Sequence, residues 1–565
     1  MDSSFKTALV KDATINDLTS DLVYQVKSGA SSTTYQSFNS TSPSNSSVIY
    51  NLQLPSESIC VGRDVLVQTG MTFRISCGGV PTLSPCLQWG IDTALAPFPF
   101  AQTVTTSQAT INNCSVSCNL KDVLPQILQL NDRAKLAMYN DLCPSLPDGD
   151  YAEYATGEGT NNNVLAGYGN ASYNSELQPR GGFPVVLSVL HYITAGGTDT
   201  SLISTASTDT WVITVSFTTT EPVFMSPFTW GEPVANASGL IGINAISVNF
   251  NIGDLNRILS SSSQYITGLL AGSATNGNMF TAGGSSPNML LKFLSLSATD
   301  HPSPKCVTPY QDIPRYITSN QPSLAAQGVV QITSQNLQLS QMPSQFVICV
   351  RKQMSSQDWT STATFLPISK ISVNINNASG LLSSASQEDL FRMSRRNGFS
   401  GSYKQFAGSA VMSYVPAGAG SGIDLVGTGG SVLVLDPAYD LSLPVDITSG
   451  SLGQFNFQIQ VTVQNKYYDA CIPELVIMCV NDGILVTEMG VSSTYTGILT
   501  RQMVLDAKKE SAVSSVEIND KVVGGRMLNR GAVRDMKHFM RLKRAGAVSA
   551  GQVSGGRGKL DGLYR

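Results

Sequence analysis

The sequence is poor in charged side chains and in histidine, on which most catalytic sites depend. Charged residues make up 13% of the 565 residues, and the three histidines are His191, His301 and His538. The motifs HExxH, GxSxG, GxxxxGK(S/T) and GxGxxG are all absent. We therefore expect no enzymatic activity, no metal and no cofactor.

Long apolar runs are also missing. No segment approaches the ~18 consecutive apolar residues that a membrane-spanning helix needs. The chain opens MDSSFKTALVKDATIND, without the basic and apolar regions of a secretory signal peptide. We expect a soluble protein that is made in a reducing compartment and is not secreted through a signal peptide.

The ten cysteines do not form a metal-binding or disulfide pattern. Cys114 and Cys118 make a CxxxC, but no second pair follows at ligand spacing, so a structural zinc site is not expected. Cys349 and Cys479 lie inside apolar segments, FVICV and VIMCV, where a buried free thiol is the simplest interpretation.

Short alternating segments separated by Ser, Thr, Asn and Gly dominate the chain. The period of two is clear in Met71–Cys77, Trp211–Phe217, Ile246–Ile252 and Phe455–Val463, and it is typical of half-buried strands. Leu475–Val486 reads as a hairpin turned at Asp482-Gly483. The hexapeptide ISVNFN at Ile246 resembles ISVNIN at Ile371, which hints at a duplication.

Two helical segments interrupt the strands. Residues 120–142 form a helix-like island, and a helix is predicted from about Ser386 to Arg396, where Ser386 and Asp389 have the spacing of a capping box. The fold class is therefore all-β, with two comparable sandwiches and short helices in the connections. The predicted divisions are an N-terminal arm 1–46, a first unit 47–300, a Pro-rich linker 301–325, a second unit 326–505 and a C-terminal tail 506–565.

The charge is unevenly distributed along the chain. Residues 521–565 contain eleven Lys or Arg and two Asp, whereas the other 520 residues contain 24 basic and 37 acidic residues. The basic residues of the tail that alternate with apolar ones are Arg526, Arg530, Arg534, Lys537, Arg541, Lys543 and Arg544. This pattern predicts a basic amphipathic helix for nucleic acid, lipid or an acidic protein surface, and the alternative is a solvated tail that aids solubility.

Three segments carry a resemblance to a known family. They are Ile111-Asn112-Asn113 with the following LKDVLPQIL run, the Pro-rich stretch around Tyr310–Tyr316, and the block Phe365–Gly408. Together they resemble the double jelly-roll major capsid proteins of Polinton-like viruses, adintoviruses and virophages. The resemblance implies two tandem eight-stranded jelly rolls in each chain.

The resemblance also implies a function and partners. Such proteins form pseudo-hexameric homotrimers that tile an icosahedral shell around double-stranded DNA, together with penton and minor or cement capsid proteins. The expected location is the virion, assembled in the cytoplasm or nucleus of the host cell, and no small-molecule substrate is expected. The loops 143–184 and 417–430 would lie outside the shell, and the arm and tail would face its interior, toward genomic DNA or an internal layer.

Relatives of this kind often encode a protease that cuts after Gly-Gly preceded by an aliphatic residue. The tail contains Val522-Val-Gly-Gly and Val553-Ser-Gly-Gly, so Gly525 and Gly556 are candidate cleavage positions. Two other functions stay open at this point. One is a different virion β-protein, a penton or spike, and the other is a glycan-binding β-sandwich adhesin.

Overall fold

The structure is a computed structural model, and it describes most of the chain up to residue 497. The residues described are 5–9, 24–28, 32–54, 59–82, 86–87, 89–90, 93–147, 182–189, 211–228, 239–261, 263, 265–280, 287–295, 305–361, 364–376, 378–415, 422–441, 443, 449–466, 470–488 and 490–497. The three histidines fall outside these ranges.

Strands dominate both halves of the described chain. The strands of the first half are Phe5–Leu9 (β1), Tyr24–Ser28 (β2), Ser32–Asn39 (β3), Ser47–Gln53 (β4), Cys60–Val61 (β5), Leu66–Cys77 (β6), Thr93–Leu95 (β7), Val104–Ile111 (β8), Cys114–Cys118 (β9), Val186–Val189 (β10), Trp211–Pro222 (β11), Ala245–Ile252 (β12), Leu259–Ser261 (β13), Ile266–Ala271 (β14) and Asn288–Ser295 (β15). Its helices are Pro99–Thr103 (α1), Leu120–Leu130 (α2) and Arg133–Ala137 (α3).

The second half also consists mainly of strands. Its strands are Lys305–Asp312 (β16), Arg315–Thr318 (β17), Val329–Thr333 (β18), Leu337–Gln341 (β19), Gln345–Lys352 (β20), Ile368–Ile375 (β21), Ala378–Leu381 (β22), Ser409–Val415 (β23), Gly422–Gly427 (β24), Val432–Leu435 (β25), Leu452–Gln464 (β26), Pro473–Glu488 (β27) and Val491–Thr496 (β28). Its helices are Gln387–Arg396 (α4), Tyr403–Phe406 (α5) and Pro437–Asp440 (α6).

The two halves share one strand order. In the first half the sheets run β3-β15-β6-β11-β10 and β4-β12-β8-β9; in the second they run β17-β27-β20-β25 and β18/β19-β26-β21-β22. Counting the eight principal strands of each half along the chain, both halves have the orders 1-8-3-6 and 2-7-4-5. This is the arrangement of an eight-stranded jelly roll. The prediction of an all-β fold with two tandem jelly rolls is confirmed.

The core of each roll lies between its two sheets. Strand β6 directs Met71, Phe73 and Ile75 inward, and β11 places the fully buried Trp211 beside them, as its alternating pattern predicts. In the second roll Phe346 of β20 and Phe457 of β26 stack across the sandwich with their ring centroids 4.4 Å apart. Cys349 and Cys479 are buried free thiols, as predicted.

The internal repeat of the structure is a turn at the first Asn of an Ile-Asn-Asn sequence (the Ile-Asn-Asn turn), followed by a short strand and then a helix. Asn112 directly follows β8 and Asn376 directly follows β21, which are the fourth strands of their rolls, and both asparagines have positive φ, 54° and 50°. Each side chain accepts a hydrogen bond from a backbone N–H on the seventh-strand side: that of Asn244, just before β12, at 2.8 Å, and that of Asn456, within β26, at 2.9 Å. The helices α2 and α4 then occupy the same place in their rolls, between the fifth and sixth strands.

The two similar hexapeptides, ISVNFN and ISVNIN, do not occupy equivalent positions in the two rolls. The copy at Ile246 lies in β12, the seventh strand of the first roll, whereas the copy at Ile371 lies in β21, the fourth strand of the second. Central strands buried on one face share the same alternation, so a short match arises without common position.

The hairpin predicted at Asp482-Gly483 is wrong. Strand β27 runs without interruption from Pro473 to Glu488 and pairs beyond this point with both β16 and β28. Glycine is required at position 483 because the neighbouring strand β28 approaches closely there, and not because the chain turns. A Cβ at this position would lie 2.2 Å from the backbone oxygen of Tyr495. The chain reverses after Glu488, where Gly490 has a φ of 78°.

Two segments predicted as connections contain strands of the rolls. Within residues 1–46, β3 pairs along its whole length with β15. Within residues 301–325, β16 and β17 pair with the two halves of β27. Proline in this segment is compatible with an edge strand, as at Pro309 of β16, because an edge residue needs no ladder hydrogen bond on its outer side.

Candidate assembly unit: the junction between the two jelly rolls

Helix α2 of the first roll carries a carboxylate into the second roll. Its N-terminal turn places Asp122 against Arg351 of β20, with Arg351 Nη2 donating to Asp122 Oδ1 at 2.7 Å. Arg351 also donates to Glu474 Oε1 of β27, from Nε at 3.1 Å and from Nη2 at 2.7 Å. Arg315 of β17 pairs with the other oxygen of Asp122. Four residues from four elements thus form one ion cluster across the junction.

The cluster is buried, so its charges depend on one another. The side chain of Arg351 is 2% exposed and that of Glu474 is 6% exposed. Burial by itself raises the pKa of Asp122, but the positive charges and hydrogen bonds of Arg351 and Arg315 outweigh it and leave the pKa lowered. Burial also works against the charged form of Arg351, yet Asp122 and Glu474 keep the pKa of Arg351 raised. A buried charge that loses its partner is strongly destabilising. The cluster therefore stabilises the contact between the two rolls only when all of its charges are paired.

A second arginine supports the helix from the side of the first roll. Pro125 lies inside α2, and a proline there cannot donate the hydrogen bond that the carbonyl of Lys121 would accept. Arg257 Nη1 donates to this carbonyl at 2.6 Å, and Arg257 Nη2 donates to Gln102 Oε1 of α1 at 2.8 Å. Burial, with a contribution from nearby Arg351, lowers the pKa of Arg257 to about 9.

Amide side chains extend the junction along α2. Gln126 Nε2 donates to Cys349 Sγ of β20 at 3.0 Å. Gln405 of α5 donates from Nε2 to Gln129 Oε1 at 2.6 Å, and the backbone N–H of Ser400 donates to the Gln129 carbonyl at 2.9 Å. The connections that follow the fifth strand therefore meet each other across the junction.

A separate contact joins the rolls through β27. The second half of this strand, with β16 and β28, packs on the first roll, where Tyr310 and Leu485 belong to the hydrophobic core. Asn112 Nδ2 donates to Ser492 Oγ at 2.9 Å, and the Ser492 N–H donates to Asn113 Oδ1 at 2.7 Å. The Ile-Asn-Asn turn of the first roll is thus a docking point for the last strand of the second.

The residues selected from the sequence as functional lie elsewhere. The seven basic tail residues and the two candidate cleavage glycines, Gly525 and Gly556, fall outside the described residues. The junction residues Asp122, Arg351 and Glu474 were not selected. One signal was available: Arg351 directly follows the apolar run FVICV in a chain with few charged residues, and a charge there needs a buried partner.

In the part of the chain that the structure describes, no three or more His, Cys, Asp or Glu side chains are grouped so as to hold a metal ion. Across the same residues, no helix has the length and apolar character required to cross a membrane.

Comparisons with known proteins give the family. Residues 3–294 match the family model of the Sputnik virophage major capsid protein 1st domain, and residues 313–483 match that of the major capsid protein V20 C-terminal domain. The fold and these matches define a double jelly-roll major capsid protein. More particularly, the chain belongs to the Sputnik virophage major capsid protein family.

Individual relatives agree with this assignment. The chain is 28% identical to the Sputnik virophage capsid protein V20 over 521 residues, which cover 90% of this chain and 82% of the relative. The cryo-EM structure of the Sputnik virophage matches with a TM-score of 0.72 and 24% identity, covering 90% of this chain and 98% of that one. The mavirus major capsid protein matches with a TM-score of 0.64 and 14% identity, covering 88% and 97%. The family is structural, so the protein is a capsid component of the virion and not an enzyme.

Proposed function

We propose that three copies of the chain form a pseudo-hexameric capsomer, and that these capsomers tile an icosahedral shell around a double-stranded DNA genome. The observation that supports this proposal is the repeated strand order of the two rolls in one chain. Two rolls of equal topology, held together by the ion cluster and by β27, give one chain two similar edges. Three such chains supply six similar edges, which suits a hexagonal lattice.

The proposal is tested by the mass of the purified protein in solution. Multi-angle light scattering of the full chain is expected to give a species of three times 60.0 kDa that persists at micromolar concentration. Obligate assemblies bury more than about 2,000 Å² and do not dissociate in this range. A clean monomer would contradict the capsomer.

We propose further that the basic tail, residues 506–565, binds an interior partner, either genomic DNA or an internal layer. The charge imbalance supports this, since eleven basic residues face two acidic ones between Lys521 and Arg565. If all nine net charges meet phosphates, the affinity for DNA should fall with a log–log salt slope of about −8.

The tail proposal has its own control. A form that ends at residue 520 should keep the trimer mass and lose the salt-dependent binding to DNA. If the truncated form binds DNA as tightly as the full chain, the interior role belongs to another segment. If neither form binds DNA but the full chain alone binds anionic vesicles or an acidic capsid protein, the partner is an internal layer.

Proteolytic processing of the tail is a further proposal. Gly525 and Gly556 each end a Gly-Gly pair that follows a valine-containing dipeptide. Mass spectrometry of particles should find chains ending at one of these glycines. Chains that retain Arg565 throughout would contradict it.

Penton and minor or cement proteins are the other proposed partners, because a closed icosahedral shell needs vertices that six-fold capsomers do not fill. We also propose that assembly takes place inside the host cell, in the cytoplasm or nucleus. Expression of the chain alone should then give capsomers or sheets, and closed shells should require the additional proteins. Closed shells from the single chain would contradict the need for a penton.

A further inference from the structure

Glu221 is a carboxylate sealed inside the first roll. It lies near the end of β11 with no exposed surface. Its Oε1 accepts hydrogen bonds from the Phe100 N–H at 2.8 Å and the Thr219 hydroxyl at 3.0 Å, and its Oε2 accepts one from the Ala101 N–H at 2.9 Å. The side chain therefore ties the first turn of α1 to the sheet.

Within the described part of the chain, no charged side chain balances Glu221, and its carboxylate meets hydrogen-bond donors alone. Helix α1 presents aromatic and aliphatic groups with Gln102 and Thr103, and β6 presents the Thr69 hydroxyl, 3.3 Å from Thr219 Oγ1. The titratable group that faces Glu221 is the Cys143 thiol, whose pKa burial raises well above its ordinary value, so it stays neutral. Burial also raises the pKa of Glu221 to about 7, against the lowering effect of its three hydrogen bonds.

A continuous series of hydrogen bonds runs from this carboxylate to the junction. The next residue of α1, Gln102, accepts from Arg257, and Arg257 donates to the Lys121 carbonyl in α2. Lys121 precedes Asp122, the residue that Arg351 of the second roll binds. A change in how α1 is held is therefore transmitted to the residue that joins the two rolls.

We propose that the sealed Glu221 carboxylate, which holds the first turn of α1, is a proton-binding site whose occupancy sets the stability of the junction between the two jelly rolls. The ligand of this site is the proton. It binds Oε2, which accepts from the Ala101 N–H, at the expense of that N–H···O bond, and Oε1 keeps its two donors.

The direction of the effect follows from linkage. The folded protein holds the proton more tightly than the unfolded chain, where the pKa is near 4.5. The contribution of Glu221 to stability is therefore fully present below about pH 4.5 and is lost as pH rises to about 7. Across this window the ratio of unfolded to folded protein attributable to Glu221 should rise on the order of 100-fold.

The test compares the wild-type chain with Glu221→Gln, which keeps the shape and removes the titration. Urea unfolding at about pH 5 and about pH 8 should show a fall in the wild-type midpoint that is absent or much smaller in E221Q. An equal fall in both proteins overturns the proposal. The infrared carboxylic-acid stretch of a buried group should disappear between these pH values in the wild type and be missing in E221Q.

A second variant keeps the proposal testable if E221Q does not fold. Thr219→Val removes one hydrogen bond that favours the charged carboxylate, so the midpoint of the pH dependence should move to higher pH. No movement overturns the assignment to Glu221.

Amide hydrogen exchange, corrected for its intrinsic pH dependence, then tests the link to the junction. Protection of α2 should fall with pH while that of α4 stays constant, and equal changes in both helices overturn the coupling.

Discussion

Helices α2 and α4 stand at the same place in two rolls of the same topology, yet they are stabilised in opposite ways. Helix α4 carries a complete capping box, in which the Asp389 N–H donates to Ser386 Oγ at 3.3 Å and the Ser386 N–H donates to Asp389 Oδ2 at 3.2 Å. Helix α2 has no side-chain cap at Asn119 and contains Pro125. Most of α2 is buried and most of α4 is not.

The two helices obtain their stability from different sources. Local residues specify where α4 begins, because its N-cap Ser386 and Asp389 bond each other's backbone N–H without help from another element. The surroundings specify α2, because Arg257 satisfies the carbonyl that Pro125 leaves free and Arg351 holds Asp122. Helix α2 joins the two rolls, and its stability therefore depends on side chains from both of them.

The largest effect is expected at the junction. Arg351→Met leaves Glu474 without a partner and should destabilise the chain by roughly 3–5 kcal/mol, measured by urea unfolding. The matched control on the other helix is Arg392→Met, because the Arg392 side chain is 79% exposed and its Asp389 partner lies 3.9 Å away. It should change stability by less than about 0.5 kcal/mol.

A second change separates lost attraction from uncompensated charge. If the cost of Arg351→Met comes from buried carboxylates, adding Glu474→Gln should recover part of it. A double variant that is less stable than R351M alone would mean that the carboxylate of Glu474 has another role.

The two Ile-Asn-Asn turns offer a smaller and sharper comparison. Asn112→Ala and Asn376→Ala each lose the hydrogen bond accepted from a backbone N–H on the seventh-strand side and force alanine into positive φ, at a cost of roughly 1–3 kcal/mol. Asn112 should cost more, since its Nδ2 also donates to Ser492 Oγ and to the Gly242 carbonyl. Thermal unfolding of both variants measures the difference.

Glycine variants at the same positions isolate the backbone term. Asn112→Gly and Asn376→Gly remove the side chain but tolerate the positive φ. The alanine-minus-glycine difference should therefore be alike in the two turns, near 1 kcal/mol, and the excess cost at Asn112 should persist in the glycine pair. Equal costs for the glycine pair would show that the bond to Ser492 contributes nothing.

The smallest effect concerns the helix caps. Ser386→Ala should lose about 1 kcal/mol because the capping box of α4 is removed. Asn119→Ala should change the free energy of unfolding very little, since the Asn119 side chain makes no cap hydrogen bond to α2. Chemical denaturation of the two variants checks the pair, and a larger loss for N119A would reverse the comparison.

Local features were predictable from the sequence. The alternation of β6, β11, β12 and β26 predicted their inward faces, and the spacing of Ser386 and Asp389 predicted the capping box at the start of α4. The resemblance carried by Phe365–Gly408 led to the fold class and family that the comparisons establish. These features depend on residues that are neighbours along the chain.

Features set by distant partners were not predictable in the same way. Asp122 and Glu474 are separated by most of the chain, and no local pattern says that both bind Arg351. Asp482-Gly483 has the composition of a turn, but the approach of Tyr495 explains its glycine. The similarity of the two hexapeptides predicted equivalent positions that they do not occupy, because a periodicity of two is common to all half-buried strands.

The long strand β27 also bears on how the protein comes into being. Leu485, in its second half, and Tyr310 of β16 complete the core of the first roll, although both follow that roll in the chain. During translation, the core of the first roll therefore cannot be completed until the ribosome has synthesised nearly five hundred residues. The two rolls have separate sheets, but the core of the first is completed by strands that belong to the second. A chain stopped between them would expose the surface that β27 normally covers.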